Sequence, residues 1–131
     1  MIVHMLRFSF KDGTSDADKE KVLALMRRTA SMPSTLFGTA GQDLGDPAAG
    51  YTHAYCVGIE DLAALERYLY DPVNIDGEWQ IFPHLGRLAG VRLSDDLDPG
   101  LSEKITAMAR KKFEDYPELG ALMATIPEVR L

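Results

Sequence analysis

One cysteine, Cys56, is all the thiol chemistry in this chain of 131 residues, so no disulfide can form within it. Cys56 sits in an apolar stretch and reads as a buried, inert thiol. Histidines number three, and His4, His53 and His84 are scattered. With no His-Glu-x-x-His and no cysteine pair, no metal and no other cofactor is expected. Basic residues are the minority, 14 Lys and Arg against 20 Asp and Glu, for a formal net charge of -6. An acidic domain without a basic cluster excludes nucleic acid and anionic membranes as expected partners. No run approaches the ~20 apolar residues of a membrane span. The start, Met1 to Arg7, is strand-like and carries no basic n-region, so no signal peptide is expected. No phosphate-cradling loop is present either. Gly38-Thr39-Ala40-Gly41 lacks the lysine and helix that should follow, and Gly86-Arg87-Leu88-Ala89-Gly90 runs into a strand. No serine or cysteine stands in a Gly-x-Ser-x-Gly elbow. The remaining expectation is a cytoplasmic protein whose 46% hydrophobic residues suffice for a core.

What is present is a regular alternation of strand and helix patterns. Ile2, His4, Leu6, Phe8 and Phe10 alternate with Val3, Met5, Arg7 and Ser9, a first strand with one strongly apolar face. Ser15 caps a helix whose inner stripe is Val22, Leu25, Met26 and Thr29, ending near Pro33. A weaker strand covers Thr35 to Gln42, where Gly38 and Gly41 point to a bulge or a close backbone approach. After a loop, a third strand from Tyr51 to Ile59 places Tyr51, His53, Tyr55, Val57 and Ile59 on one face. Asp61 caps a helix through Leu62, Leu65, Tyr68 and Leu69, stopped at Asp71-Pro72. Asn74 to Phe82 reads as a short helix with Ile75, Trp79 and Phe82 inward, and Leu88 to Leu93 is the fourth strand. The order β-α-β-β-α-β predicts an α+β, ferredoxin-like protomer with a four-stranded antiparallel sheet.

The composition changes at Asp95. Residues 1–96 form the expected main domain, and residues 97–131 a helical extension too small for a core of its own. It is therefore expected to pack on the domain or on a partner subunit. Helices on one side of the sheet leave its other face to be covered. Apolar residues on both faces of the first and third strands predict a homodimer joined through the sheet.

Several side chains are candidates for chemistry. Tyr68 lies at the end of a helix over the expected apolar pocket, where a phenol can polarise a carbonyl or stabilise an enolate. His4 and His53 lie on apolar strand faces, where a neutral imidazole works near neutral pH. The plainer role for both, and for Tyr68, is that of a core residue. Asn74 either caps the helix after Pro72 or donates to a ligand, and Tyr51, Trp79 and Phe82 line the pocket or fill it.

His4 in an apolar first strand, Gly50-Tyr51-Thr52-His53 opening the third, Tyr68 ahead of a proline stretch, and Pro83 before the last strand resemble the Dabb family of stress-responsive α/β-barrel domains over Met1 to Asp96. The resemblance implies a ferredoxin-like protomer and a dimer whose two sheets form a barrel. Many members have no assigned activity; others are cofactor-free enzymes, among them a plant polyketide cyclase and a plant hydroxynitrile lyase. In the cyclase pattern a tyrosine and a histidine are the acid–base pair. Tyr68 matches that tyrosine, while Asn74 stands at the histidine and Asp71 at a second histidine before the proline. An amide removes no proton at neutral pH, so that mechanism does not carry over unchanged.

Two functions fit these residues. The first is a dimeric stress-responsive protein with a small apolar pocket for a carbonyl-bearing molecule. The alternative is a cofactor-free lyase or polyketide-cyclase-like enzyme using Tyr68 with His4 or His53 as acid–base groups. Monooxygenases of the same superfold find no matching residue pattern beyond an Asn and a Trp.

Overall fold

The computed structural model describes residues 1–131. Nine residues of alternating character form β1 (Ile2–Phe10), and Ser15 caps α1 (Asp16–Ala30) by accepting the Asp18 amide at 3.1 Å. β2 (Phe37–Gln42) and β3 (His53–Ile59) follow, joined by a loop containing a 3-10 turn. Asp61 caps α2 (Leu62–Tyr70), and Asp71 both ends it and caps α3 (Pro72–Ile81), whose first residue is the proline. β4 (Leu85–Ser94) completes the predicted set. The extension adds α4 (Leu101–Asp115), α5 (Pro117–Met123) and a short β5 (Glu128–Arg130).

The sheet order is β2-β3-β1-β4-β5. The first four strands are antiparallel, with His4 opposite both Val57 and Arg92. β5 was not anticipated: it runs parallel to β4, Leu88 beside Val129, so the sheet has five strands and is mixed. A parallel neighbour needs a long crossover. α4 and α5 supply it, and that route lays the extension over the helical side of the sheet. Three residues of mixed polarity carry too little period-two signal to mark a strand in advance.

The core lies between that side and the helices, around Phe8, Val22, Val57, Ile59, Leu85 and Leu119, all essentially inaccessible. Each such side chain contributes about 1.5–3 kcal/mol by leaving water. Gly38 is the predicted close approach: a Cβ there would stand 2.8 Å from the Ala30 side chain, so α1 sits directly on β2. The opposite face carries Met5, Phe37, Val91 and Leu93, exposed by 38–64%. Cys56 belongs to this face and is half-buried rather than enclosed. No helix is long and apolar enough to cross a membrane.

Candidate functional site

The helices do not fill the space above the β1–β4 part of the sheet. A cavity of about 150 Å³ remains there, a size that elsewhere holds a benzene-sized molecule. Leu6 and Leu88 form its floor, Ile81 and Phe82 a wall, and Phe113 and Met123 of the extension its cover. Into this apolar chamber project His4, Tyr55, Tyr68, Asn74, Glu78, Arg92 and Lys112. Arg92 is exposed and marks where the chamber meets solvent.

Tyr68 stands on the buried stripe of α2 and Tyr55 on the inward face of β3, and their hydroxyl oxygens lie 2.6 Å apart. Burial raises the Tyr68 hydroxyl well above its ordinary range, reinforced by the charge and hydrogen bond of Tyr55. Tyr55 is pushed up for the same first reason. Both therefore stay protonated. Two hydroxyls carry two protons, and their mutual bond uses one. The other is free to donate to a third acceptor.

His4 points inward beside Leu6, and its Nδ1 is sealed from solvent with no hydrogen-bond partner. Burial, then the charge of Arg92, lowers its pKa to about 4, so the imidazole is neutral at physiological pH. A buried nitrogen without a partner is costly unless something bonds to it.

α3 presents a different face from the predicted one. Asn74, Gly77, Glu78 and Ile81 turn inward; Pro72 rather than Asn74 is the first helical residue, and Asp71 is the cap. Asn74 is thus a buried cavity residue, its amide donating weakly to the Leu69 carbonyl at 3.4 Å. Trp79 is rotated outward, 40% exposed, and does not line the cavity, whereas Phe82 does.

Two further candidates lie elsewhere. His53 stacks on Phe8 and meets Phe10 edge-on, with Nδ1 2.7 Å from the Thr52 hydroxyl; it shares a face with Tyr55 but sits beyond the cavity. Tyr51 precedes β3, so the strand alternation does not govern it. Its ring lies between the guanidinium groups of Arg7 and Arg87, at 4.7 and 5.0 Å, both on the side of the sheet away from the helices. Arg7 is itself held by both carboxylate oxygens of Asp43.

Three charged residues of the cavity, Glu78, Arg92 and Lys112, are not among the sequence candidates, and two of them pair. Lys112 of α4, with 1% of its side chain exposed, donates to Oε1 of Glu78, itself 15% exposed. Desolvation raises Glu78, against the pull of Lys112 and, more weakly, of the Asn74 amide; it lowers Lys112, against the pull of Glu78. Oε2 of Glu78 is buried and has no partner. No group of three or more His, Cys, Asp and Glu is placed to hold a metal ion.

The model of the stress responsive A/B barrel domain family, Dabb, matches residues 2–89. A protein of Arabidopsis thaliana is 20% identical, covering 75% of this chain and 98% of its own, with a TM-score of 0.63. A Dabb family protein with a ferredoxin-like fold from Mesorhizobium loti is 14% identical over 72% of this chain and 96% of its own, TM-score 0.64. The hydroxynitrile lyase of Passiflora edulis is 21% identical over 74% and 96%, TM-score 0.61. No curated protein matches the chain. These likenesses establish the fold. The family match ends at residue 89, before α4, so the cover of the cavity lies outside the matched family domain.

Proposed function

The chain belongs to the stress responsive A/B barrel domain family, and on that premise we propose that its cavity binds a small, apolar, carbonyl-bearing molecule. The observation that carries this reading is the Tyr55–Tyr68 hydroxyl pair, with one proton to spare, facing an apolar space of about one aromatic ring. The spare O–H donates to the carbonyl oxygen. Asn74 stands on the same wall as a second group able to bond it.

A second reading is supported by the unpartnered Nδ1 of His4 in the same chamber. With Tyr68 as donor and neutral His4 as proton acceptor, the site has the parts of a cofactor-free lyase or cyclase. A Passiflora edulis protein of this fold is a hydroxynitrile lyase. His53, stacked on Phe8 outside the cavity, has no part in it.

The functional unit is a homodimer joined through the open sheet face. Exposed Met5, Phe37, Val91 and Leu93 lie on one side of the sheet, and several similar structures are described as dimeric. A lone thiol, Cys56, suits the reducing cytoplasm.

The test is binding of single-ring ketones such as acetophenone, followed by ligand-observed NMR, to the wild type, Tyr68→Phe and His4→Phe. Binding lost in Tyr68→Phe without a change of fold supports the carbonyl site. Because Tyr55 can donate in place of Tyr68, equal binding by wild type and the Tyr55→Phe/Tyr68→Phe double variant overturns it.

A further inference from the structure

Burying a carboxylate costs several kcal/mol even after relaxation, and only a partner with good geometry offsets it. Glu78 has such a partner for one oxygen alone. Lys112 holds Oε1, while Oε2 is sealed from solvent and bonded to nothing. A pair built only to dock α4 on α3 would satisfy both oxygens, since a half-satisfied buried network is less stable than an apolar contact. Glu78 also lies four residues after Asn74, on the same inward face of α3, and lines the cavity with Tyr55 and Tyr68. An anionic oxygen thus shares an apolar chamber with hydroxyls that remain protonated.

We propose that Glu78 is the general base of this cavity, removing a proton from the carbon next to the carbonyl of the bound molecule, with Lys112 as the positioning residue that fixes its carboxylate. This rests on the carbonyl-binding reading above. In the step, the C–H bond breaks and the proton joins Oε2. The C–H electron pair forms a carbon–carbon double bond, and the carbonyl π pair moves onto oxygen. The enolate oxygen accepts the spare tyrosine hydroxyl. Return of the proton from Oε2 to carbon, or attack of the enolate on a second carbonyl, completes the sequence without a redox partner. Burial makes Glu78 a stronger base than a surface carboxylate, and Lys112 keeps it ionised.

The groups facing Glu78 are His4 of β1, Tyr55 of β3, Tyr68 of α2, Arg92 of β4 and Lys112 of α4. Of these, Lys112 touches it, and the uncharged Asn74 amide one turn earlier on α3 also favours its ionised form. Removing that charge moves the rise of the rate with pH to higher pH.

The experiment is exchange, for deuterium in D2O, of the protons on the carbons next to the carbonyl of acetophenone, phenylacetone and cyclic ketones, read by proton NMR beside the binding measurement. The expected result is exchange catalysed by the wild type and lowered about 10²–10⁴-fold in Glu78→Gln, with binding retained. Glu78→Asp, which keeps the charge but withdraws it by one methylene, decides the matter should Glu78→Gln not fold: it too must lose exchange. Lys112→Met should shift the pH profile upward. Binding without exchange in the wild type, unchanged exchange in both Glu78 variants, or loss of exchange on His4→Phe with Glu78→Gln still active overturns the assignment while leaving the binding reading intact. Neither binding nor exchange with any probe overturns both.

Discussion

Replacing Lys112 by Met keeps the bulk of the stem and removes the charge that Glu78 is buried against. The carboxylate then has one escape, which is to take up a proton in the folded state. The cost of that escape sets the size of the effect. The unfolded chain holds Glu78 near its ordinary 4.5, so at pH 7 protonation spans two and a half pH units at about 1.36 kcal/mol each, about 3.4 kcal/mol. The measured penalty at pH 7 cannot exceed this by more than the lost packing, and it agrees with the roughly 3–5 kcal/mol typical of removing one partner from a buried pair. The sign follows from proton counting. The folded variant carries a proton that the unfolded chain has released above 4.5, so its stability falls as pH rises, and near pH 5 the penalty shrinks to about 0.7 kcal/mol.

Urea denaturation of wild type and Lys112→Met at pH 5 and pH 7, with midpoints and slopes compared, reads the difference directly. The gap between the two proteins should widen by about 2.7 kcal/mol over that interval. In Lys112→Met with Glu78→Gln there is no carboxylate to protonate, and the gap should not change with pH. A penalty for Lys112→Met that is the same at both pH values would refute the reasoning, because Glu78 would then be reaching solvent rather than staying buried.

The tyrosine pair should behave non-additively: Tyr55→Phe and Tyr68→Phe each leave one hydroxyl without its partner and cost about 1–3 kcal/mol, while the double variant costs less than their sum in the same denaturation assay. His4, lowered to about 4 by burial, stabilises the fold above its unfolded value of 6.5, and that contribution is lost as pH falls from 6.5 through 4, by up to about 3 kcal/mol; the imidazole proton shifts in NMR should titrate near 4, and His4→Phe should flatten this limb of the stability profile. Deleting residues 97–131 removes Leu101, Ile105, Leu119 and Ile126 from the core, at about 1.5–3 kcal/mol each a loss comparable with a whole domain's roughly 5–15 kcal/mol, so the truncated chain should fail to show a cooperative thermal transition. Val91→Asp and Leu93→Asp, at positions 57% and 64% exposed, should leave thermal unfolding cooperative but give a monomer in sedimentation.

Strands and helices with one clean period were legible without the fold. β1 alternates over its whole length, and the caps Ser15 and Asp61 sit where an unsatisfied helix amide needs an oxygen. α3 was readable as a helix but not in its rotation. Its inner face carries Asn74, Glu78 and Ile81 in place of the expected Ile75, Trp79 and Phe82, a shift of one residue and so a rotation of about 100 degrees. That rotation exchanges Trp79 for Glu78 on the inner face. The ordinary rule that a tryptophan is buried and a glutamate is not points to the other face.

The rule fails here for a reason that lies thirty-four residues away. Glu78 can turn inward only because Lys112 meets it from α4, and Lys112 can occupy the apolar stripe of α4 only because Glu78 waits there. Neither position makes sense by itself, and no local pattern links an acid on one helix to a base on another across a polar linker. The same dependence explains why Tyr68 could be anticipated and its partner could not: a tyrosine on a buried stripe needs some acceptor, but that the acceptor is Tyr55 follows from the alignment of β3 under α2. The extension lies beyond the family domain, yet it supplies both the cover of the cavity and the charge that lets a carboxylate exist within it. Whatever chemistry the matched domain carries elsewhere, in this chain the cavity is completed by residues the domain does not contain. Its protonation behaviour is therefore set as much by α4 as by the sheet.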